Sequence, residues 1–262
     1  MNIFVCIKQV PSTNKVQVDE KTGVLKRDGI ASKMNPYDLF ALETALRLKA
    51  EHGGTVTVGT MGPPQAQAVV KEAYMMGADD GHVFSDRRLG GADVLATSYT
   101  LSQAIQSVGD FDLILCGKQT TDGDTAQVGA EVAEYLGIPN ISNVLSIEDY
   151  SGWRLKLRVN LDNKIVTLTA PLPCLISVDG DINTPRLPSY KIRKTLTDDS
   201  VRFLTFADFE DQDPDHYGLS GSATQVERIF PPEKLSSKYT IEGDAETQSQ
   251  ALYDLLLDKK LL

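Results

Sequence analysis

Between the apolar run Phe111-Asp-Leu-Ile-Leu-Cys116 and the helically spaced Ala126-Gln-Val-Gly-Ala-Glu-Val-Ala-Glu-Tyr-Leu136, the segment Gly117-Lys-Gln-Thr-Thr-Asp-Gly-Asp-Thr125 carries residue types suited to holding a phosphate. Gly117 and Gly123 let a backbone approach a ligand closely, and the opening amides of the following helix, aided by its dipole, hold an anion. The hydroxyls of Thr120, Thr121 and Thr125 add donors. Asp122 and Asp124 would repel a phosphate, so they are assigned to helix capping, ribose hydroxyls or solvent. The segment is neither G-x-G-x-x-G nor G-x-x-x-x-G-K-S/T. A nucleotide is the leading ligand, and a plain capped strand-to-helix turn stays open beside it.

Other chemistries find little support. No G-x-S-x-G elbow and no Cys/His dyad offers a nucleophile for hydrolysis. Cys6, Cys116 and Cys174 sit far apart in apolar, strand-like runs and read as buried free thiols. His52, His82 and His216 are equally scattered and form no pair at metal-ligand spacing, which speaks against structural zinc. A net charge of −10 argues against general nucleic-acid binding, because neutralising phosphates needs a basic surface.

These residues need a scaffold, and the pattern supplies one. The chain has 262 residues, 41% of them hydrophobic, enough for one large or two unequal domains. Asn2-Ile-Phe-Val-Cys-Ile7 reads as a first strand rather than a signal peptide, and no stretch reads as a membrane span, so the protein is expected in the cytosol. Tyr37 to Leu48 is an amphipathic helix and Thr55 to Gly59 a second strand. Gln65 to Met76 is a helix entered through Met61-Gly-Pro-Pro64. Gly81 to Phe84 is a third strand, Ala92 to Ser107 a helix, and Phe111 to Cys116 a fourth strand. Such a βαβ series implies an α/β fold: a doubly wound, mostly parallel sheet with its ligand crevice at the strand C-terminal ends. Cys6-Ile-Lys8, Met61-Gly62 and Gly117 to Val128 would then meet at one edge. Asn35-Pro-Tyr-Asp38 joins them as a helix-entry loop, with Asp38 suited to a ligand hydroxyl, to the early-helix dipole or to simple capping.

After Pro139 the pattern changes. Trp153 to Leu161 and Lys164 to Thr169 read as a β-hairpin across Asp162-Asn163, and Pro171 to Val178 as a further buried strand. From Asp179 to about Thr240 the chain is irregular and is expected to wrap a partner, with a closing helix in Gln250 to Leu262. The expected division is 1–178 as a nucleotide-binding domain including the hairpin, and 179–262 as recognition loop, extended arm and C-terminal helix.

Five ordered pieces, Cys6-Ile-Lys-Gln-Val-Pro11, Met34-Asn-Pro-Tyr-Asp38, Glu72-Ala-Tyr-Met-Met-Gly-Ala-Asp79, Gly117 to Gly129 and Asn183-Thr-Pro-Arg186, resemble the beta subunit of electron transfer flavoproteins, a fold of adenine nucleotide alpha hydrolase-like type. The resemblance implies a heterodimer whose alpha subunit carries FAD and whose beta subunit holds an adenine nucleotide, with electron transfer as the activity and no catalytic side chain in this chain. It carries the nucleotide contacts onto Cys6, Lys8, Asn35, Pro36, Tyr37, Asp38, Met61, Cys116, Gly117, Lys118, Gln119, Thr120, Thr121, Asp122, Gly123, Asp124, Thr125, Ala126, Gln127 and Val128. The segment from Asn183 to Lys194 resembles the loop that docks on a partner dehydrogenase. Leu187 or Tyr190 would be its apolar plug, with Arg186, Lys191, Arg193 and Lys194 as a basic rim or a solvated charged face.

Ser85 to Leu101 and Asp122 to Gly129 resemble the electron-bifurcating members, which hold a second FAD where ordinary members hold AMP. An isoalloxazine would find contacts at Asp86, Gly90, Gly91, Asp93 and Thr97, where a plain helix-entry loop stays open as the alternative, and Arg87, Arg88 and Lys118 are candidate cations beside the flavin or equally surface charges. Function would then be oxidation of NADH at the beta-bound FAD. One electron would go to ferredoxin or flavodoxin, the other through the alpha-subunit FAD to an acyl-CoA or 2-hydroxy acid dehydrogenase. Two alternatives stay open: a non-bifurcating subunit with structural AMP, and an adenine-nucleotide hydrolase or ligase of similar fold. Against the latter, the first strand is followed by no Ser-Gly-Gly-x-Asp-Ser loop.

Overall fold

Strict alternation of apolar residues into two layers organises the chain. Ile3, Val5 and Ile7 enter one apolar layer, while Phe4 and the half-buried Cys6 enter the other; Leu113 and Leu115 oppose Ile114 and Cys116 in the same way. The computed structural model describes residues 1–12, 17–18, 25–26, 32–161, 163–197, 200–227 and 240–262. In chain order the elements are β1 (Asn2–Cys6), β2 (Gln9–Pro11), β3 (Gln17–Val18), β4 (Leu25–Lys26), β5 (Ser32–Met34), α1 (Pro36–His52), β6 (Thr55–Met61), α2 (Gln67–Met76), β7 (Asp80–Phe84) and α3 (Val94–Val108). They continue with β8 (Leu113–Gly117), α4 (Val128–Leu136), β9 (Asn140–Ser151), β10 (Arg154–Leu161), β11 (Lys164–Pro171), β12 (Cys174–Val178), α5 (Tyr190–Arg193), β13 (Arg202–Leu204) and α6 (Ala245–Asp258).

The main sheet runs β11-β10-β9-β12-β8-β1-β6-β7-β13. It is parallel from β9 to β13, and the antiparallel partners β10 and β11 extend it on one side. Residues of α1 and α2 pack with one apolar layer and those of α3 and α4 with the other, so helices cover both faces. This is the expected doubly wound architecture. From β1 the chain steps through α1 to β6 on one side, and later places β8 on the other, so the connections reverse between β1 and β8. A crevice opens at such a switch point, beyond the strand C-termini.

Two features escaped the sequence pattern. Asn140 to Ser151 forms the long strand β9, which pairs in parallel with β12 and then antiparallel with β10. Register shifts along it blur the period-two signal that marks a strand. The stretch after Val178 also contributes more interior than its composition suggests. β13 joins the sheet beside β7, and Phe206, Phe209 and Tyr217 are buried against the α3 and α4 layer. The chain accordingly forms one compact unit of residues 1–17 and 25–227, and a second of 18–24 and 228–262. In the second unit Asp244 caps α6 by accepting from the Thr247 amide (2.9 Å), and the helix exposes Leu252, Tyr253 and Leu257. Among the described residues no helix is long and apolar enough to cross a membrane.

Candidate functional site

The crevice is assembled around two side chains at the entry of α1. Asn35 donates through Nδ2 to Asp38 Oδ1 (2.9 Å) and to the Gln119 carbonyl (2.9 Å), and its Oδ1 accepts from the Thr121 amide (3.2 Å). Asp38 Oδ2 accepts the Lys8 amide (2.8 Å), and the Asn35 amide donates to the Lys8 carbonyl (2.8 Å). The ends of β1 and β8 are thereby tied to one helix N-terminus. Asp38 is buried, and that burial pushes its carboxyl up to about 7 against the lowering pull of Asn35 and the Lys8 amide. Asp38 acts as an internal tie, with donors of the chain on both oxygens. Pro36 opens α1 at its first turn, where a missing N–H costs nothing, and Tyr37 stands half-buried behind it.

Gly117 is required by this packing. A Cβ there would lie 2.6 Å from Asp38 Oδ1 and from the Tyr37 carbonyl carbon. Beyond it, Lys118, Gln119 and Thr120 are half-buried and 121–127 are exposed. Asp124 and Ala126 adopt positive φ, 51° and 56°, so the chain turns sharply before α4 begins at Val128. Helix capping, one of the assignments open to Asp122 and Asp124, does not occur at α4. Gln127 occupies the cap position instead and makes no side-chain cap bond. Among the described residues the first amides of α4 thus find no side-chain acceptor, the arrangement that suits an anion.

Two cations at this loop are held in ion pairs. Lys8 Nζ donates to Asp122 Oδ1 (2.7 Å), and Asp122 Oδ1 also takes the Gly123 amide (2.8 Å). Burial raises the Asp122 carboxyl, but Lys8 and the Gly123 amide hold it below the usual range. Lys118 Nζ donates to Asp179 Oδ2 (2.8 Å), beside the end of β12. Asp179 was not singled out from sequence. Its place directly after Val178, at the C-terminal end of a strand neighbouring β8, is the signal that finds it.

Cys6 and Cys116 end β1 and β8 and share the α3 and α4 face. Cys116 is buried, and its thiol is pushed far up by the neighbouring Cys6 thiol and by burial. Cys174 is buried deeper in β12. Met61 ends β6, half-buried against the same layer.

The rim from Asp86 to Thr97 is bound to the chain's own later segment. Arg88 forks onto Asp86 (Nε 3.0 Å, Nη2 2.6 Å), holding that carboxyl down at about 2, and lies over the Phe206 ring. Asp93 caps α3 through the Ala96 amide (3.1 Å) and accepts from the amide and hydroxyl of Thr224 (2.8 and 2.9 Å). Gly90 and Gly91 are exposed, and the Gly90 carbonyl accepts the Leu219 amide (3.1 Å). Thr97 sits in the first turns of α3, donating its amide to Asp93. Arg87 is exposed, with no ion-pair partner among the described residues.

Farther along, Asn183 to Ser189 lies on α1 and α2. Asn183 Nδ2 donates to the Phe40 carbonyl (3.0 Å) and to Thr44 Oγ1 (2.8 Å). Arg186 donates from its amide (3.2 Å) and Nε (2.7 Å) to Glu43 Oε2, and from Nη2 (3.3 Å) to Oε1. Ser189 donates its amide to the Met75 carbonyl (2.8 Å) and caps α5. Leu187, between these anchors, is 89% exposed, and Tyr190 is 68% exposed with Lys194 over its ring. Lys191 and Arg193 are exposed. Arg186, expected in the basic rim, pairs with Glu43 while its side chain stays 42% exposed.

Residues 22–200 match the family model described as "Electron transfer flavoprotein domain". The chain is 38% identical over 263 residues to "Electron transfer flavoprotein subunit beta" of Thermoanaerobacterium thermosaccharolyticum, covering 100% of both chains. It is 42% identical over 248 residues to "Caffeyl-CoA reductase-Etf complex subunit CarD" of Acetobacterium woodii, covering 93% of this chain and 92% of that one. To "Acryloyl-CoA reductase electron transfer subunit gamma" of Anaerotignum propionicum it is 36% identical over 270 residues, with 100% of both covered.

Proposed function

The chain belongs to the electron transfer flavoprotein family, as a beta subunit, and from that premise we propose that its crevice holds an FAD at which NADH is oxidised and electrons are bifurcated. One electron goes to ferredoxin or flavodoxin. The other passes through the FAD of the alpha subunit to an acyl-CoA or 2-hydroxy acid dehydrogenase. The observation that carries a nucleotide here is the convergence of the β1, β8 and α1 ends on the Asn35–Asp38 tie, with the opening amides of α4 left open beside them. Those amides and the Thr120, Thr121 and Thr125 hydroxyls suit a phosphate, and the chemistry of the donor set fits the group.

When bound, the isoalloxazine supplies exchange of two electrons with a nicotinamide and of one electron with each acceptor. This chain's residues do the holding. Lys8, bound to Asp122 of the phosphate loop, and Lys118, within that loop, are each kept in place by a carboxylate, and Asp38 fixes the loops against one another. A whole FAD is favoured over AMP by the resemblance of Ser85 to Leu101 and of Asp122 to Gly129 to the bifurcating members. The names of two relatives, a caffeyl-CoA reductase complex subunit and an acryloyl-CoA reductase subunit, favour a CoA-ester enzyme as partner.

A second reading has its own support. Asp86 and Asp93 are both engaged within the chain, which favours a smaller occupant, AMP, that does not use the rim. NADH-driven ferredoxin reduction separates the two. The FAD-replete heterodimer with its dehydrogenase and CoA-ester acceptor should reduce ferredoxin only while the acceptor is being reduced. Acceptor reduction without any ferredoxin reduction would leave the AMP reading standing.

A further inference from the structure

Glu43 is buried in α1 along with Ala41, Leu42, Ala45 and Leu46, and its side chain is 5% exposed. A carboxylate so placed needs donors, and it has them. Arg186 supplies three hydrogen bonds and Arg47 Nε a fourth (2.8 Å), while Arg47 Nη2 reaches the Thr184 carbonyl (3.2 Å). Burial pushes the Glu43 carboxyl up, but the arginine bonds outweigh it and hold it below the usual range, so it stays ionised at neutral pH.

Nothing in the nucleotide crevice uses this cluster. What it fixes is the loop. With the Asn183 side chain bound to α1, the Arg186 amide bound to Glu43 and the Ser189 amide bound to Met75 of α2, the backbone is held immediately before and shortly after Leu187. Leu187 itself touches little of this chain, and an apolar side chain held out at 89% exposure beside ionic bonds to a buried carboxylate is built for presentation. We propose that Glu43 is a positioning residue that pre-organises the loop, so that Leu187 meets the partner dehydrogenase as a rigid plug. This rests on reading the loop as the dehydrogenase-docking element. Ordering the loop before encounter removes a cost that binding would otherwise bear, so the effect belongs to affinity.

The test is steady-state electron transfer between the purified heterodimer and a bacterial butyryl-CoA dehydrogenase, titrated to saturation. Glu43→Gln and Arg186→Lys should each raise the half-saturating dehydrogenase concentration by about tenfold, leaving the rate at saturation and the flavin content within about twofold. Leu187→Ala should do the same. Because Glu43 acts through Leu187, the Glu43→Gln/Leu187→Ala pair should be no worse than Leu187→Ala alone. Effects that multiply in the double variant, or an unchanged half-saturation in the single anchor variants, would overturn the positioning role while docking through Leu187 stands. A Leu187→Ala heterodimer that titrates like wild type would overturn the docking reading itself, and the proposal with it. Arg186 is exposed, so its lysine variant decides the matter if Glu43→Gln does not fold.

Discussion

Asp38 shows how one buried carboxylate sets the terms for a whole site. It binds the ends of two strands to a helix start, and burial raises its carboxyl to about 7. The folded protein therefore retains a proton that the unfolded chain releases above 3.8, so the Asp38 contribution to stability falls as pH rises through that window and is flat above it. Compared at fixed concentration as the heterodimer, the stability advantage of wild type over Asp38→Asn should shrink between about pH 5 and about pH 7, by up to about 1.4 kcal/mol per pH unit. Urea unfolding at several pH values reads it, and a difference that stays constant or grows with pH would show that Asp38 remains charged throughout.

At the scale of elements, strands that alternate or run apolar were legible in the sequence, and elements defined by distant partners were not. β1, β6, β7 and β8 and the helices between them lie where spacing puts them, because each has its own periodic signal. β13 has only three residues, Arg202 to Leu204, and is a strand because β7 offers it an edge. The site divides the same way. Gly117, Lys118 and the Thr-rich loop were visible as a strand-to-helix turn, and Asn35 and Asp38 as a helix entry. That Asp93 would be shared with Thr224, more than a hundred positions away, has no local sign. Gly218 shows how tightly that later segment sits: at φ +55° a Cβ would fall 2.1 Å from the Arg88 carbonyl oxygen. The segment's anchor is the buried Phe206, packed edge-on to Tyr217 with ring centroids 5.0 Å apart. Phe206→Ala should cost about 3–5 kcal/mol and free the rim from Asp86 to Asp93. Faster amide exchange at Gly90 and Leu219 than at Val5 would report it, and equal protection at both would contradict it.

For the molecule as a whole, the net charge is −10, while the segment proposed to dock the dehydrogenase exposes Lys191 and Arg193, opposite in sign to the average. The larger unit supplies both the crevice and that loop, on a single sheet with helices on both faces. On the proposed reading, this one scaffold would contribute a nucleotide site and a partner-facing plug, and the alpha subunit would complete the electron path. The identity of the nucleotide decides which path that is. The most direct measurement is to co-express this chain with its alpha subunit, purify the complex, denature it, and count FAD and AMP by chromatography. The account predicts two FAD per heterodimer and little AMP. One FAD with one AMP, persisting after the complex is supplemented with FAD, would contradict it.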